Sequence, residues 1–140
     1  VKNKSLPRVN FFGFKNQTEL PLYYAIADVF VLPSVTTRDF KEPWGLLINE
    51  AMNQGCAVIT TEAVGAAIGG LVKNKETGLI VPEKDSGALQ AAIETLFNDE
   101  VLLMSMGQVA RKEINNWSPE RMREGFVQAI DYVKDGNKLS

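Results

Sequence analysis

The tightest constraint on this chain is a rhythm. Short unbroken apolar runs recur, and each is followed by a longer stretch with helical spacing. The runs are VNFFGF at 9–14, VFVL at 29–32, AVITT at 57–61 and a fourth inside TGLIVPEKD at 77–85. VFVL and AVITT lack polar alternation, which suits strands covered on both faces. Helical segments fill the intervals. NQTELPLYYAIAD (16–28) has Thr18 as a cap and Pro21 in its first turn. PWGLLINEAMNQG (43–55) has Pro43 near its start and Gly55 as its stop. SGALQAAIETLFND (86–99) is capped by Asp85 or Ser86, and EVLLMSMGQVARKEI (100–114) is a further helix. WSPERMREGFVQAIDYVK (117–134) has Ser118 as cap and Pro119 in the first helical position. EAVGAAIGG (62–70) is small and glycine-rich, so its backbone can come close to something else. Strands alternating with helices imply right-handed crossovers. The expected fold is α/β, Rossmann-like and three-layered, with a short parallel sheet of about four strands flanked by helices.

Composition removes several chemistries. The 140 residues suffice for one domain, and 45% hydrophobic content allows a modest core. A net charge of -2 offers no basic footprint for a nucleic-acid backbone. One cysteine and no histidine exclude an internal disulfide, a Cys/His zinc site and a Ser-His-Asp arrangement. Cys56 lies between Gly55 and Ala57-Val58-Ile59, and with no histidine to activate it, it reads as a small core residue. No apolar run reaches the roughly 18 residues of a membrane span. The start, VKNKSLPRVN, has no apolar stretch of a signal peptide and no initiator Met, so the chain is expected to be a piece of a longer protein.

One stretch stands out within this frame. FKEPWGLLINEAM (40–52) sets Glu42 before a helix and Glu50 on its wall. Ligands of open parallel sheets bind beyond the carboxyl ends of the strands. The first-turn amides of the helix that follows VFVL lack partners within it and attract an anion such as phosphate. Gly45 in that turn allows a close approach. A carboxylate beside such a site repels phosphate but accepts hydrogen bonds from sugar hydroxyls. Carboxylates on both sides of a phosphate cradle suggest a ligand with hydroxyls on both sides of its phosphates, as in a nucleoside diphosphate sugar. From spacing alone the plainer reading is preferred: Glu42 solvated in a loop, and Glu50 paired with a nearby lysine.

The segment YYAIADVFVLPS…KEPWGLLINEAMNQGCAVITT resembles the GT-B glycosyltransferases, specifically the retaining family 4. Glu42, Gly45, Glu50, Ala51, Met52, Gly55 and Val58-Ile59 fall in the order of that family's Glu–seven residues–Glu motif. ADVFVLPS (27–34), ETGLIVPEKD (76–85), VNFFGF and WSPE also match its pattern, so the likeness covers roughly 8–134. The resemblance implies that residues 1–140 are a partial donor-binding domain. Glu42 would contact the donor sugar hydroxyls, and Glu50 the ribose. The backbone amides of Trp44, Gly45, Leu46 and Leu47 would approach the diphosphate and sugar. Gly13-Phe14-Lys15 would lie near the base. For Trp44, packing at the helix start and ligand contact both stay open.

Further expectations follow from the resemblance. The substrate is a nucleoside diphosphate sugar, with no cofactor and no catalytic metal. The departing phosphate assists deprotonation of the acceptor, so Glu42, the one catalytic candidate, acts by orientation and charge stabilisation. The acceptor is a glycan or a lipid-linked molecule, held by a domain outside the chain. The location is cytoplasmic, free or peripheral at the inner face of the membrane. Against the family pattern the chain starts after two strands and a basic Arg/Lys pair, and Lys15, Arg38 and Lys41 are not at matching positions. The fragment alone is therefore expected to be inactive. Its first strand should move next to VFVL or pair with another molecule, and the open sheet edge invites a non-native dimer. The alternatives are a GT-B sugar-nucleotide epimerase and a non-catalytic sugar-nucleotide binding fragment. A Rossmann dehydrogenase is disfavoured, because GAAIGG (65–70) has the wrong spacing for a dinucleotide fingerprint.

Overall fold

Three of the apolar runs form one parallel sheet. The computed structural model describes residues 8–135. In it, strands β1 (Val29–Leu32), β2 (Ala57–Thr61) and β3 (Gly78–Val81) lie in that order. Val29 sits beside Ala57, and Ile59 beside Leu79. β2 is central and buried along its whole length.

Side chains of the strands alternate between two cores, as a pleat requires. Phe30, Leu32, Val58 and Ile80 face one side, where Ile48 and Met52 pack with Ala110 and Ile114. Val29, Val31, Ile59, Leu79 and Val81 face the other, against Ala92, Leu96 and Met106. The first face is covered by helix α2 (Leu46–Gln54), preceded in the chain by α1 (Leu20–Ala25). The second is covered by α4 (Ser86–Asn98) and the start of α5 (Glu100–Glu113). The short α3 (Gly65–Ile68) follows β2, and a 3-10 turn (Ile114–Asn116) leads into α6 (Pro119–Lys134). The three-layer α/β expectation is met.

The strand count is corrected from four to three among the described residues. The segment 9–14 forms no strand and does not pair with β1. Phe11 and Phe14 are 81% and 91% exposed. A strand exists through its neighbour's hydrogen bonds, and no described segment offers them here.

Two local expectations also shift. Thr18 does not cap α1; the Asn16 side chain accepts from the amides of Thr18 and Glu19, at 3.0 and 3.1 Å. α2 starts at Leu46 and leaves Pro43 and Trp44 outside, because Gly45 adopts φ 86° as its N-cap. The glycine-rich stretch 62–70 contains α3, and its backbone does come close to another segment, as expected: Gly65 lies against Pro43. The caps near the carboxyl end stand as expected: Asp85 accepts from Ala88 N at 2.8 Å, and Ser118 from Arg121 N at 3.3 Å.

Candidate functional site

The carboxyl ends of the three strands deliver three loops to one edge of the sheet. The longest, 33–45, leads from β1 to α2. Two threonines at the end of β2 hold its first residues. Thr60 Oγ1 donates to Leu32 O at 3.2 Å, and Thr61 Oγ1 donates to Ser34 O. Farther along, the Thr36 amide donates to the carboxylate of Glu83 on the β3–α4 loop. That contact holds the Glu83 carboxyl below its usual range, with the neighbouring Lys84 and Lys41 adding to the effect.

The end of the loop, which carries Glu42, lies against the start of α3. Gly65 N donates to Glu42 O at 3.1 Å, and Ala66 N to Trp44 O at 2.9 Å. The approach is tight, since a Cβ on Gly65 would stand 1.8 Å from Pro43 O. Gly45 is fixed by its positive φ and by space, because its Cβ would meet Leu32 Cδ2 at 2.8 Å and Val64 Cγ1 at 2.9 Å. On its Cβ side its neighbours are packed protein atoms, a reason for glycine in addition to the ligand approach expected from sequence.

Gly45 sets the start of α2 and the orientation of its free amides. Ile48 N donates to Gly45 O at 2.8 Å. The amides of Leu46 and Leu47 precede it, have no intrahelical acceptor, and lie at the positive end of the helix. Both side chains are exposed. Glu50 is one turn further on, roughly 6 Å along the axis. It is half-buried, as is Glu42. Among the described residues neither makes an ion pair with Lys or Arg, so the lysine partner that spacing suggested for Glu50 is absent there.

The neighbour of Glu50 is Tyr24 of α1. Burial, and secondarily hydrogen bonding with the Glu50 carboxylate, raise the Tyr24 phenol to about 12. Tyr24 therefore stays a neutral donor at ordinary pH. Cys56 lies beneath it; its thiol contacts Tyr24 O at 3.2 Å and Ala27 O at 3.3 Å, and burial pushes its pKa up. An unactivated, buried thiol fits the core role read from sequence.

The Trp44 indole has protein partners of its own. Its Nε1 donates to Asn49 Oδ1 at 2.9 Å, and its ring lies 5.1 Å from that of Trp117. The same ring lies over Gly69, where a Cβ would come within 2.7 Å. The indole packs on Trp117 and Gly69 and stays partly exposed. Lys15 pairs with Glu19 at 3.6 Å and lies over the Tyr23 ring. The structure thus brings Glu42, Gly45, Leu46, Leu47 and Glu50 to one helix start. Glu83, Thr36 and Tyr24 also shape it and carried no sequence signal, whereas Gly65 belongs to the glycine-rich stretch expected to make a close approach.

The family model described as glycosyl transferases group 1 matches residues 2–113. The chain belongs to this family. It is 34% identical over 107 residues to the amylovoran biosynthesis glycosyltransferase AmsK of Erwinia amylovora, covering 76% of this chain and 26% of that relative. Among solved structures it is similar to sucrose-phosphate synthase from Thermosynechococcus elongatus, with a TM-score of 0.74, 31% identity, and coverage of 92% of this chain and 31% of that one. It is also similar to Anabaena HepE in complex with UDP-glucose, with a TM-score of 0.68, 27% identity, and coverage of 79% and 28%. The architecture of this group 1 family member is that of the carboxyl-terminal domains of GT-B glycosyltransferases. The chain spans about a quarter of the length of the curated relatives it matches.

Proposed function

We propose that residues 1–140 are the donor-binding part of a retaining, metal-independent glycosyltransferase of family 4. It would move a sugar from a nucleoside diphosphate sugar to a glycan or lipid-linked acceptor held by a further domain, and this part alone would not turn over. The observation that carries the reading is the pair of half-buried glutamates, without an ion pair to Lys or Arg among the described residues, that flank in the chain the unpartnered amides opening α2. HepE, a protein of the same architecture, was solved with UDP-glucose, which supports a ligand of this class. AmsK acts in amylovoran biosynthesis, which supports a glycan product. The same reading carries a cytoplasmic location, free or at the inner face of the membrane.

Each residue has a task set by its charge and place. The amides of Leu46 and Leu47, with those of Trp44 and Gly45 before them, take the diphosphate at the positive helix end. Glu42 accepts from donor sugar hydroxyls on one side, and Glu50 accepts from the ribose on the other. Tyr24 holds Glu50 from the buried side. In the reaction the bond from the sugar's anomeric carbon to phosphate breaks on the face where the acceptor oxygen bonds. The acceptor proton passes to the departing phosphate. Glu42 orients the sugar and stabilises its developing positive charge.

The test uses the protein in its full natural length, incubated with UDP-, GDP- and ADP-sugars and candidate glycan acceptors. The reading expects acceptor-dependent release of one nucleoside diphosphate and a product that keeps the donor's anomeric configuration. It also expects Glu42→Ala to reduce release at least about tenfold. An inverted product, or undiminished release by Glu42→Ala, would contradict it.

A further inference from the structure

We infer that Glu83 is a positioning residue that sets the place of Glu42 by clamping the loop between β1 and α2; the inference rests on the donor-site reading above. The loop from Pro33 to Gly45 contains no helix or strand of its own. Its shape comes from ties at a few points. The start is tied to β2 by Thr60 and Thr61. The end is tied to α3 by the amides of Gly65 and Ala66. Between them the chain makes a local turn at 37–40, where Thr37 N donates to Phe40 O at 2.9 Å and Phe40 N donates to Thr37 Oγ1 at 3.1 Å. Such a turn shapes itself but fixes nothing relative to the sheet.

Glu83 supplies the missing anchor. Its carboxylate accepts from the Thr36 amide across 47 positions of sequence, immediately before the local turn. Glu83 itself stands two residues past the end of β3 and two before the Asp85 cap of α4, so its backbone is fixed by two rigid elements. A charged acceptor on a backbone amide makes a stronger tie than a neutral one. Lys41, next to Glu42 in the chain, lies within electrostatic reach of the same carboxylate. The loop is therefore tied to the β3 side at Thr36, immediately before the local turn, and Glu42 follows two residues after that turn ends. Glu50 sits on α2, whose start is fixed independently by Gly45. The clamp acts on the sugar side of the site and leaves the ribose side alone.

That asymmetry gives the test. In the full natural protein, binding of UDP, GDP and ADP is compared with binding of the corresponding nucleoside diphosphate sugars for wild type, Glu83→Ala and Glu83→Gln. Exchange of the Thr36 amide is followed without ligand. The inference expects Glu83→Ala to bind the sugar nucleotide about tenfold more weakly, the nucleoside diphosphate unchanged, and the Thr36 amide to exchange faster. Glu83→Gln keeps an oxygen acceptor for Thr36 and should restore most of the affinity. Equal affinities in wild type and Glu83→Ala, or an equal loss for both ligand types, would overturn the inference. Unchanged Thr36 exchange in Glu83→Ala would overturn it whatever the ligands do. A wild-type protein that binds none of the ligands would instead overturn the donor-site reading, with the Thr36 exchange still reporting on the clamp.

Discussion

Gly65 and Pro43 stand so close that a Cβ on Gly65 would lie 1.8 Å from the Pro43 carbonyl oxygen. The obstacle is backbone, so no side-chain rotation relieves it. Gly65→Ala must push the Glu42 loop away from α3 and break the hydrogen bond from Gly65 N to Glu42 O. We expect a destabilisation of about 1–3 kcal/mol, as for other overpacked sites. The thermal midpoint should fall by about 3–10 °C. Donor binding should weaken by more than the stability loss accounts for, and calorimetry with a parallel ligand titration measures both.

Gly107 provides the matching control. Its Cβ would meet Gly55 O at 2.2 Å, at the opposite end of β2 from the site. Gly107→Ala should lose about 1–3 kcal/mol of stability by the same mechanism. Below its new melting point, its donor affinity should match that of wild type. A specific loss of affinity in this variant would show that the whole α5–sheet contact governs the site.

Tyr24 predicts an alkaline limit. Its folded pKa of about 12 lies above the ordinary tyrosine value of about 10. A raised pKa means that the folded state holds the proton more tightly. The stability this provides is complete below about pH 10 and is lost as pH rises toward about 12. Tyrosinate absorbance should show one of the three tyrosines titrating late, and Tyr24→Phe should remove it. The unfolding midpoint of Tyr24→Phe should depend less on pH above about 10.

Glu83 predicts the acid counterpart. Its folded pKa is lowered, first by the Thr36 amide. The stabilisation is present above the unfolded carboxylate value of about 4.3 and disappears as pH falls through the folded value. The exposure of this carboxylate keeps the effect small. Wild type should lose more stability than Glu83→Gln between about pH 5 and 3 in denaturant titrations.

Much of the fold was legible because its signals are local. The runs 29–32 and 57–61 became β1 and β2 at those bounds, since an apolar β-branched run needs only cover on both faces. Asp85, Ser118 and Pro119 fix helix starts within three residues of themselves. The failures are all non-local. VNFFGF carries strand composition, yet pairing is a property of neighbours and none is there among the described residues. The packing of Gly45 against Leu32 and Val64, which come from other elements, carried no signal in its own sequence neighbourhood. The carboxylate of Glu83 and the amide of Thr36 carry no shared motif; only the parallel register of β1, β2 and β3 brings their loops together. The Glu42–Glu50 spacing was readable, but Tyr24 as the partner of Glu50 required the packing of α1 on α2.

The central claim is that Glu42 and Glu50 flank one nucleoside diphosphate sugar at the start of α2. The most direct measurement is a ligand-observed NMR titration of the protein with UDP, GDP, ADP and their common sugars, repeated with Glu50→Ala. The account predicts that one nucleotide binds in preference to the others and that Glu50→Ala weakens the nucleotide and its sugar conjugate alike, because the ribose is common to both. Binding that is indifferent to Glu50→Ala, or no binding by the protein in its full natural length, would contradict it.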